Sequence, residues 1–236
     1  KRKVVRVILG VFVLMVVWIS GCATPPTPLP STTTPEPEPL LPGQFDGFIK
    51  VAVDSIAAPD AASKGKTYLI TSAMQNVGDE DLQFQEFARY IENALSQRGY
   101  IRVRQQETAD LLIRLAYGIG DPKTTTETFV IGSQPEYRYW DAWNQRWVIE
   151  LAKTETRQRT TTTYMRHLIL EAYDLKNTKR QQLWKTTVKS EGTMSDLRIV
   201  LPFMVTAAVP YFGENTTGQK VIGIGGRDKR VLDIRK

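Results

Sequence analysis

The chain has 236 residues, of which 31 are basic and 25 acidic, so its net charge is +6. It contains one cysteine and one histidine, which excludes an internal disulfide and a metal site built from several Cys or His ligands. With 236 residues, of which 42% are hydrophobic, the chain is long enough and apolar enough to bury a sizeable core.

The N-terminal segment follows the order of a secretory signal. Four basic residues within the first six precede an apolar run over 7–18. The next residues are Ile19, Ser20 and Gly21, followed by Cys22. Small side chains directly before a cysteine resemble the lipobox of bacterial lipoproteins. The resemblance implies that residues 1–21 are a signal peptide and that Cys22 is acylated and becomes the mature N-terminus.

An uncleaved membrane anchor is the alternative for this segment. The apolar run extends at most over 7–19, which is shorter than the roughly 20 residues that a spanning helix needs. An anchor also leaves unexplained why the single cysteine directly follows Ser20 and Gly21. We therefore expect membrane attachment through acyl chains on Cys22.

Cleavage would change the charge of the working protein. Residues 1–21 contain four basic and no acidic residues, so the mature chain has 27 basic against 25 acidic residues, a net charge of +2. We therefore expect no nucleic-acid partner. The residue after Cys22 is Ala23 rather than Asp. This resembles the default signal of Gram-negative lipoproteins for the outer membrane, where the protein would face the periplasm.

Residues 22–44 are predicted to be a lipidated linker. Eight prolines alternate there with Thr, Ser and Glu, and no apolar periodicity is present. Proline favours extended polyproline geometry, so the segment would act as a spacer between the membrane and the rest of the chain.

Residues 45–236 have the composition of a single globular domain. β-Branched and aromatic residues between turn formers predict strands, and apolar residues at steps of three and four, ending at Gly99, predict a helix. In chain order we predict strands over 47–53 and 66–71, a helix over 82–98, strands over 100–104 and 110–117, and a hairpin of 164–175 with 182–190.

A second helix is predicted to begin near Thr193. Thr193 and Asp196 have the spacing of a capping box, and the apolar run over 199–209 is typical of a buried helix. Pro202 is tolerable only near the first turn, and Pro210 should end or kink the helix. We therefore expect an α+β fold in which two helices pack on a mostly antiparallel sheet.

Several short motifs occur together in one order. They are KTYLI at 66–70, ALSQRGY at 94–100, ADLLI at 109–113, LILEAYD at 168–174 and LWKT at 183–186. In this order they resemble the bacterial envelope lipoproteins of domain of unknown function 4136. The resemblance implies an α+β sandwich and gives no catalytic residues. The chain departs from that pattern by an insertion of about 121–163, rich in Thr and Trp.

No residue pattern predicts catalysis, a metal or a cofactor. His167 lies in a strand pattern, where a packed or surface imidazole is expected, and no serine lies in a G-x-S-x-G elbow. The glycines over 223–226 begin a dinucleotide-binding pattern, but Asp228 occupies the position of the third glycine. Too little chain follows for a useful helix, so a Gly-rich strand or loop is expected.

One aromatic cluster lies in the insertion. Its members are Tyr137, Tyr139, Trp140, Trp143 and Trp147, interleaved with Arg, Asp, Asn and Gln. The cluster is a candidate partner-binding surface, because aromatic and arginine side chains concentrate contact energy. The alternative is a hairpin whose aromatic side chains cover the core.

Three functions compete. The leading hypothesis is a non-catalytic envelope lipoprotein that binds another envelope protein or assembly. The second is a module that binds a glycan, peptidoglycan or lipid through the aromatic cluster. The third, a hydrolase of unrecognised type, is disfavoured because no nucleophile and base are paired in the sequence.

Overall fold

The structure is a computed structural model and describes residues 45–236. The predicted lipobox residues and the predicted linker lie outside the described residues. The strands are β1 (Phe48–Ala57), β2 (Thr67–Ser72), β3 (Ile101–Arg102), β4 (Leu111–Ile119), β5 (Lys123–Gln134), β6 (Tyr137–Asp141), β7 (Arg146–Glu150), β8 (Lys153–Asp174), β9 (Gln182–Gly192) and β10 (Lys220–Gly225). The helices are α1 (Leu82–Ser96), α2 (Leu197–Ala208) and α3 (Lys229–Arg235). None of the helices within 45–236 is long and apolar enough to cross a membrane.

One mixed sheet organises these elements. Its strand order is β10-β1-β9-β8-β4-β2-β3, and the neighbours from β10 to β4 are antiparallel. β2 is parallel to both β4 and β3, because α1 crosses over between β2 and β3. The predicted α+β class is confirmed, with strands forming most of the regular structure.

The core lies between one face of the sheet and the helices. Inward residues alternate with outward ones along each strand, as in β1, where Ile49, Val51 and Val53 are buried. α1 contributes a buried stripe at helical spacing that includes Phe84 and Phe87. α2 packs against β1, β9 and β10 on the same side, so helices and sheet form two layers.

Helix α1 ends as its sequence predicts. The Asp81 side chain accepts the Phe84 N–H at 2.8 Å and caps the N-terminus. At the other end Gly99 has a φ of +78°, and the Tyr100 N–H donates to the Leu95 carbonyl at 3.0 Å. This left-handed glycine terminates the helix, which agrees with the prediction to within two residues.

Helix α2 begins later than predicted. Asp196 is itself the N-cap, since its side chain accepts the Arg198 N–H at 2.8 Å, so the capping box at Thr193 was wrong. Because the helix starts at Leu197, Pro202 lies in the second turn rather than the first. The Thr206 hydroxyl donates to the Pro202 carbonyl at 2.7 Å. The helix ends at Ala208, and Pro210 follows in a short 3-10 turn, as expected.

The C-terminal segment corrects a second prediction. The Gly-rich stretch forms the edge strand β10, but it is followed by the seven-residue helix α3, which the sequence analysis had discounted. Val231 and Ile234 of α3 are buried in the core. A side chain at Gly226 would collide with the Phe45 carbonyl, so this glycine serves close packing of the backbone.

We predict that Tyr68→Phe stabilises the domain. Tyr68 is fully buried, its hydroxyl has no hydrogen-bond partner within residues 45–236, and burial raises its pKa. Removing an unsatisfied buried hydroxyl should raise the free energy of unfolding by about 1 kcal/mol, measured by urea denaturation. The control is Tyr90→Phe, which removes a hydroxyl that donates to Glu86 at 2.6 Å and should lower stability by about 1 kcal/mol. A loss of stability in Tyr68→Phe would show that the Tyr68 hydroxyl does have a hydrogen-bond partner in the folded protein.

Candidate interaction site

Two strands of the sheet continue beyond it as an extended arm. β5 follows β4 along the same side of β8, and residues 123–134 pair antiparallel with residues 153–163 of β8. All twelve residues of β5 are exposed. At β-strand spacing the twelve residues span roughly 40 Å. We call residues 121–163 the arm; this is the segment predicted as an insertion.

Threonine dominates both strands of the arm. Thr124 faces Thr162 with their hydroxyl oxygens 3.2 Å apart, and Thr126 faces Thr160 at 3.0 Å. Glu127 lies opposite Arg159 in the next register position. β-Branched residues and cross-strand hydrogen bonds stabilise paired strands, which explains how the arm is held without a core of its own.

The arm ends in a small hairpin formed by β6 and β7. Asp141 accepts hydrogen bonds from the Trp143 N–H at 3.1 Å, the Asn144 N–H at 3.2 Å and the Asn144 side chain at 2.7 Å. Chiefly the bond from the Asn144 side chain holds the pKa of Asp141 below its usual value. Gln145 adopts a left-handed φ of 48° next to this turn. The four-residue loop is thus locally ordered by Asp141.

The predicted aromatic cluster occupies this terminal hairpin, which we call the aromatic tip (residues 137–150). The exposed fractions are 50% for Tyr137, 45% for Tyr139, 49% for Trp140, 95% for Trp143 and 69% for Trp147. These side chains therefore do not cover the core, and the alternative that assigned them to it was wrong. The structure places all five candidate residues together on one solvent-exposed element.

The cluster is divided between two faces of the hairpin. Trp140 and Trp147 are directly paired, with ring centroids 5.5 Å apart and planes inclined by 66°. Tyr137 and Tyr139 lie on the opposite face, where their rings are 6.0 Å apart. Tyr137 donates a hydrogen bond to Glu150, which raises the pKa of its phenol. The two indoles form an edge-to-face pair rather than a flat platform.

The other residues that could take part in chemistry lie apart from the aromatic tip. His167 is half-buried in β8 and faces Gly118 of β4. No group of three His, Cys, Asp or Glu side chains within residues 45–236 is arranged to hold a metal. The surface depression along α1, about 620 Å³ in volume, is lined by charges that include the ion pair of Arg198 with Glu86 at 3.0 Å.

Sequence reasoning missed a buried cation at the root of the arm. Arg166 of β8 is 2% exposed, and its guanidinium donates to the carbonyls of Ser190 at 3.4 Å and Met194 at 3.1 Å. Burial lowers the pKa of Arg166. The sequence did carry a signal for this burial. Arg166 lies two residues before Leu168 in a strand, so both side chains point to the same, buried face.

We predict that the aromatic tip contributes little to folding. Trp140→Ala with Trp143→Ala should change Tm by about 4 °C or less, because exposed substitutions seldom exceed about 0.5 kcal/mol each. The matched control is Trp184→Ala, since Trp184 is 2% exposed and contacts Phe212. That variant should lose about 3–5 kcal/mol, or roughly 6 °C or more. Comparable losses in both variants would show that the tip is packed against the core.

Comparison with known proteins identifies the family. The model of the domain of unknown function DUF4136 matches residues 53–212. A DUF4136 family protein of known structure from Bacteroides thetaiotaomicron is 15% identical, with a TM-score of 0.34, over 70% of this chain and 94% of that one. A PDZ domain protein from Parabacteroides distasonis is 15% identical, with a TM-score of 0.41, over 75% of this chain. This chain spans 39% of that protein's length. No protein of curated function matches. Since the family model covers well over half of the sequence, the chain belongs to the DUF4136 family.

Proposed function

We propose that this protein is a non-catalytic envelope lipoprotein that binds another envelope protein through the aromatic tip. The observation that carries the proposal is the exposure of five aromatic side chains at the end of an arm that contributes nothing to the core. Acylation of Cys22 would hold the protein at the outer membrane, facing the periplasm. The linker over 22–44 would then hold the domain, and with it the aromatic tip, at a distance from the membrane surface.

The chemistry of the tip supports a protein partner. Trp, Tyr and Arg are the side chains that most often dominate binding energy at protein interfaces. Arg138 and Arg146 lie in the same hairpin as Trp140 and Trp147, so apolar and cationic contacts are available on one element. Asp141 orders the turn before binding, which lowers the entropy lost on association.

Glycan or peptidoglycan binding is the second candidate, and Trp143 favours it. At 95% exposure this indole presents its ring to solvent and is accessible for stacking on a sugar. The inclined planes of Trp140 and Trp147 are less suited to a flat ring. A lipid ligand would need apolar area that the mixed polar tip divides between two faces.

Photo-crosslinking tests the protein partner. A photoreactive residue replacing Trp147 should crosslink to one envelope protein in intact cells. The same residue replacing Val221 should not, although both native side chains are 69% exposed. Trp140→Ala combined with the probe at position 147 should reduce the crosslink. Equal crosslinking from positions 147 and 221, or none from 147, would contradict the proposal.

Sedimentation with purified peptidoglycan separates the two candidates. The protein-partner proposal predicts no co-sedimentation that depends on the tip. If the parent chain co-sediments and Trp143→Ala does not, with an unchanged Tm, the protein-partner proposal is wrong and the tip binds a glycan.

We predict that Cys22→Ala leaves an unprocessed precursor. The small residues Ser20 and Gly21 precede the only cysteine of the chain, so no other thiol can accept the lipid. Metabolic labelling with a fatty-acid analogue should mark the parent chain and not the variant. A labelled, membrane-bound mature form of Cys22→Ala would rule out the proposed anchor.

A further inference from the structure

The sheet opens between β1 and β9 at the end from which the arm extends. The two strands pair with each other only as far as Val51 and Ser190. Beyond this pair, and within residues 45–236, residues 48–50 of β1 pair only with β10, and residues 191–192 of β9 pair only with β8. The strands thus part and leave a cleft of about 290 Å³, which is lined by residues of both.

The guanidinium of Arg166 lines this cleft and has no counterion within residues 45–236. Arg166 is 2% exposed, and its Nε and Nη1 donate to the backbone carbonyls of Ser190 and Met194. Its Nη2 donates no hydrogen bond to any described residue, and the nearby charge of Glu191 acts on the guanidinium without an ion pair. A buried charge without a counterion is costly, so a bound anion would stabilise this arginine.

Gly192 leaves room beside the unpaired nitrogen. A Cβ at position 192 would lie 2.6 Å from Nη2 of Arg166, which is closer than van der Waals contact. Gly192 is not among the glycines with a positive φ, so its backbone conformation does not require glycine. The missing side chain instead keeps space open next to the guanidinium, within the cleft.

The other charges of the cleft favour a monoanion. Lys50 is exposed and lies over Phe48, with its Nζ 5.9 Å from the ring centroid. The Glu191 carboxylate accepts a hydrogen bond from the Thr163 hydroxyl at 3.3 Å. Two cations, Arg166 and Lys50, and one carboxylate therefore line the cleft, a net charge of +1. A single negative charge balances this set, whereas a phosphate dianion would exceed it.

We propose that the cleft binds a carboxylate carried on a short apolar group. The carboxylate accepts a hydrogen bond from Nη2 of Arg166, with Lys50 as the second cation. The apolar group contacts Phe48 and Met194, which also line the cleft. Hydrogen bonds between ionised partners are among the stronger ones in proteins. Because drug-sized ligands occupy roughly 300–1,000 Å³, the cleft suits a small acid or the end group of a larger molecule.

Titration of the full chain tests the class of ligand. Hexanoate should shift the NMR signals of the Arg166 Nε–H and the Gly192 amide, with a Kd in about the millimolar range that such small ligands reach. Hexanamide has nearly the same shape without the charge and should bind about tenfold more weakly or less. Inorganic phosphate should also bind more weakly than hexanoate. Equal binding of hexanoate and hexanamide, tighter binding of phosphate, or no shift with hexanoate overturns the proposal.

A second ligand distinguishes two sources of the same carboxylate. N-Acetyl-leucine presents the carboxyl end of a peptide, and hexanoate presents that of an aliphatic acid. Tighter binding of N-acetyl-leucine assigns the cleft to a chain terminus, and tighter binding of hexanoate assigns it to an aliphatic acid. The cleft shares no residue with the aromatic tip, so these titrations and the crosslinking at the tip succeed or fail independently.

Variants place the ligand in the cleft. Gly192→Ala sets a methyl group against Nη2 of Arg166 and should weaken hexanoate binding about tenfold. Lys50→Gln should weaken it about threefold, because an exposed charge contributes less. The matched control, Lys220→Gln, removes an exposed lysine of β10 outside the cleft and should bind as the parent does. Arg166→Gln would also release two backbone carbonyls, so the first two variants decide. Unchanged binding in Gly192→Ala and Lys50→Gln overturns the proposal.

Discussion

Strand β8 belongs to both the sheet and the arm, and its side chains change environment at Arg166. From Arg166 to Asp174 every second residue is buried beneath the helices, whereas no residue from Lys153 to Met165 is. The Arg166 guanidinium lies at this boundary and donates to the carbonyls of Ser190 and Met194. It thereby ties β8 to β9 and to the chain leading into α2, where the helical layer begins. Beyond this point both faces of the ribbon meet water.

A ribbon with two solvated faces cannot be stabilised by burial, which explains the composition of the arm. An isolated two-stranded hairpin is marginally stable in water. The arm is instead continuous with β4 and β8, which are anchored in the core by residues such as Leu115 and Leu168. Threonine suits the part of the arm that lies outside the core. Its branched side chain favours strands, and its hydroxyl forms hydrogen bonds across them, as between Thr126 and Thr160.

Local signals predicted the elements whose boundaries depend on local interactions. The spacing of Phe84 and Phe87 and the left-handed Gly99 were sufficient for α1. α2 was placed too early because Thr193 and Asp196 can both cap a helix, and the choice depends on a distant residue: Arg166 holds Met194 outside the helix. α3 was missed because three apolar residues within seven are a weak signal. Its stability comes from packing on α1 and α2, and Asn93 of α1 donates to the Ile234 carbonyl at 3.0 Å.

The aromatic tip shows the same division between local and non-local information. Alternating aromatic and polar residues are compatible with a hairpin that covers a core and with one that faces solvent, so Trp140 and Trp147 alone could not decide. The flanking segments carried the missing information. Over 123–128 and 156–163 neither face of the ribbon has a row of apolar residues, so no layer can pack there. A hairpin that continues such a ribbon is carried away from the core, so its indoles are exposed to solvent, which is the observation behind the proposed partner-binding role.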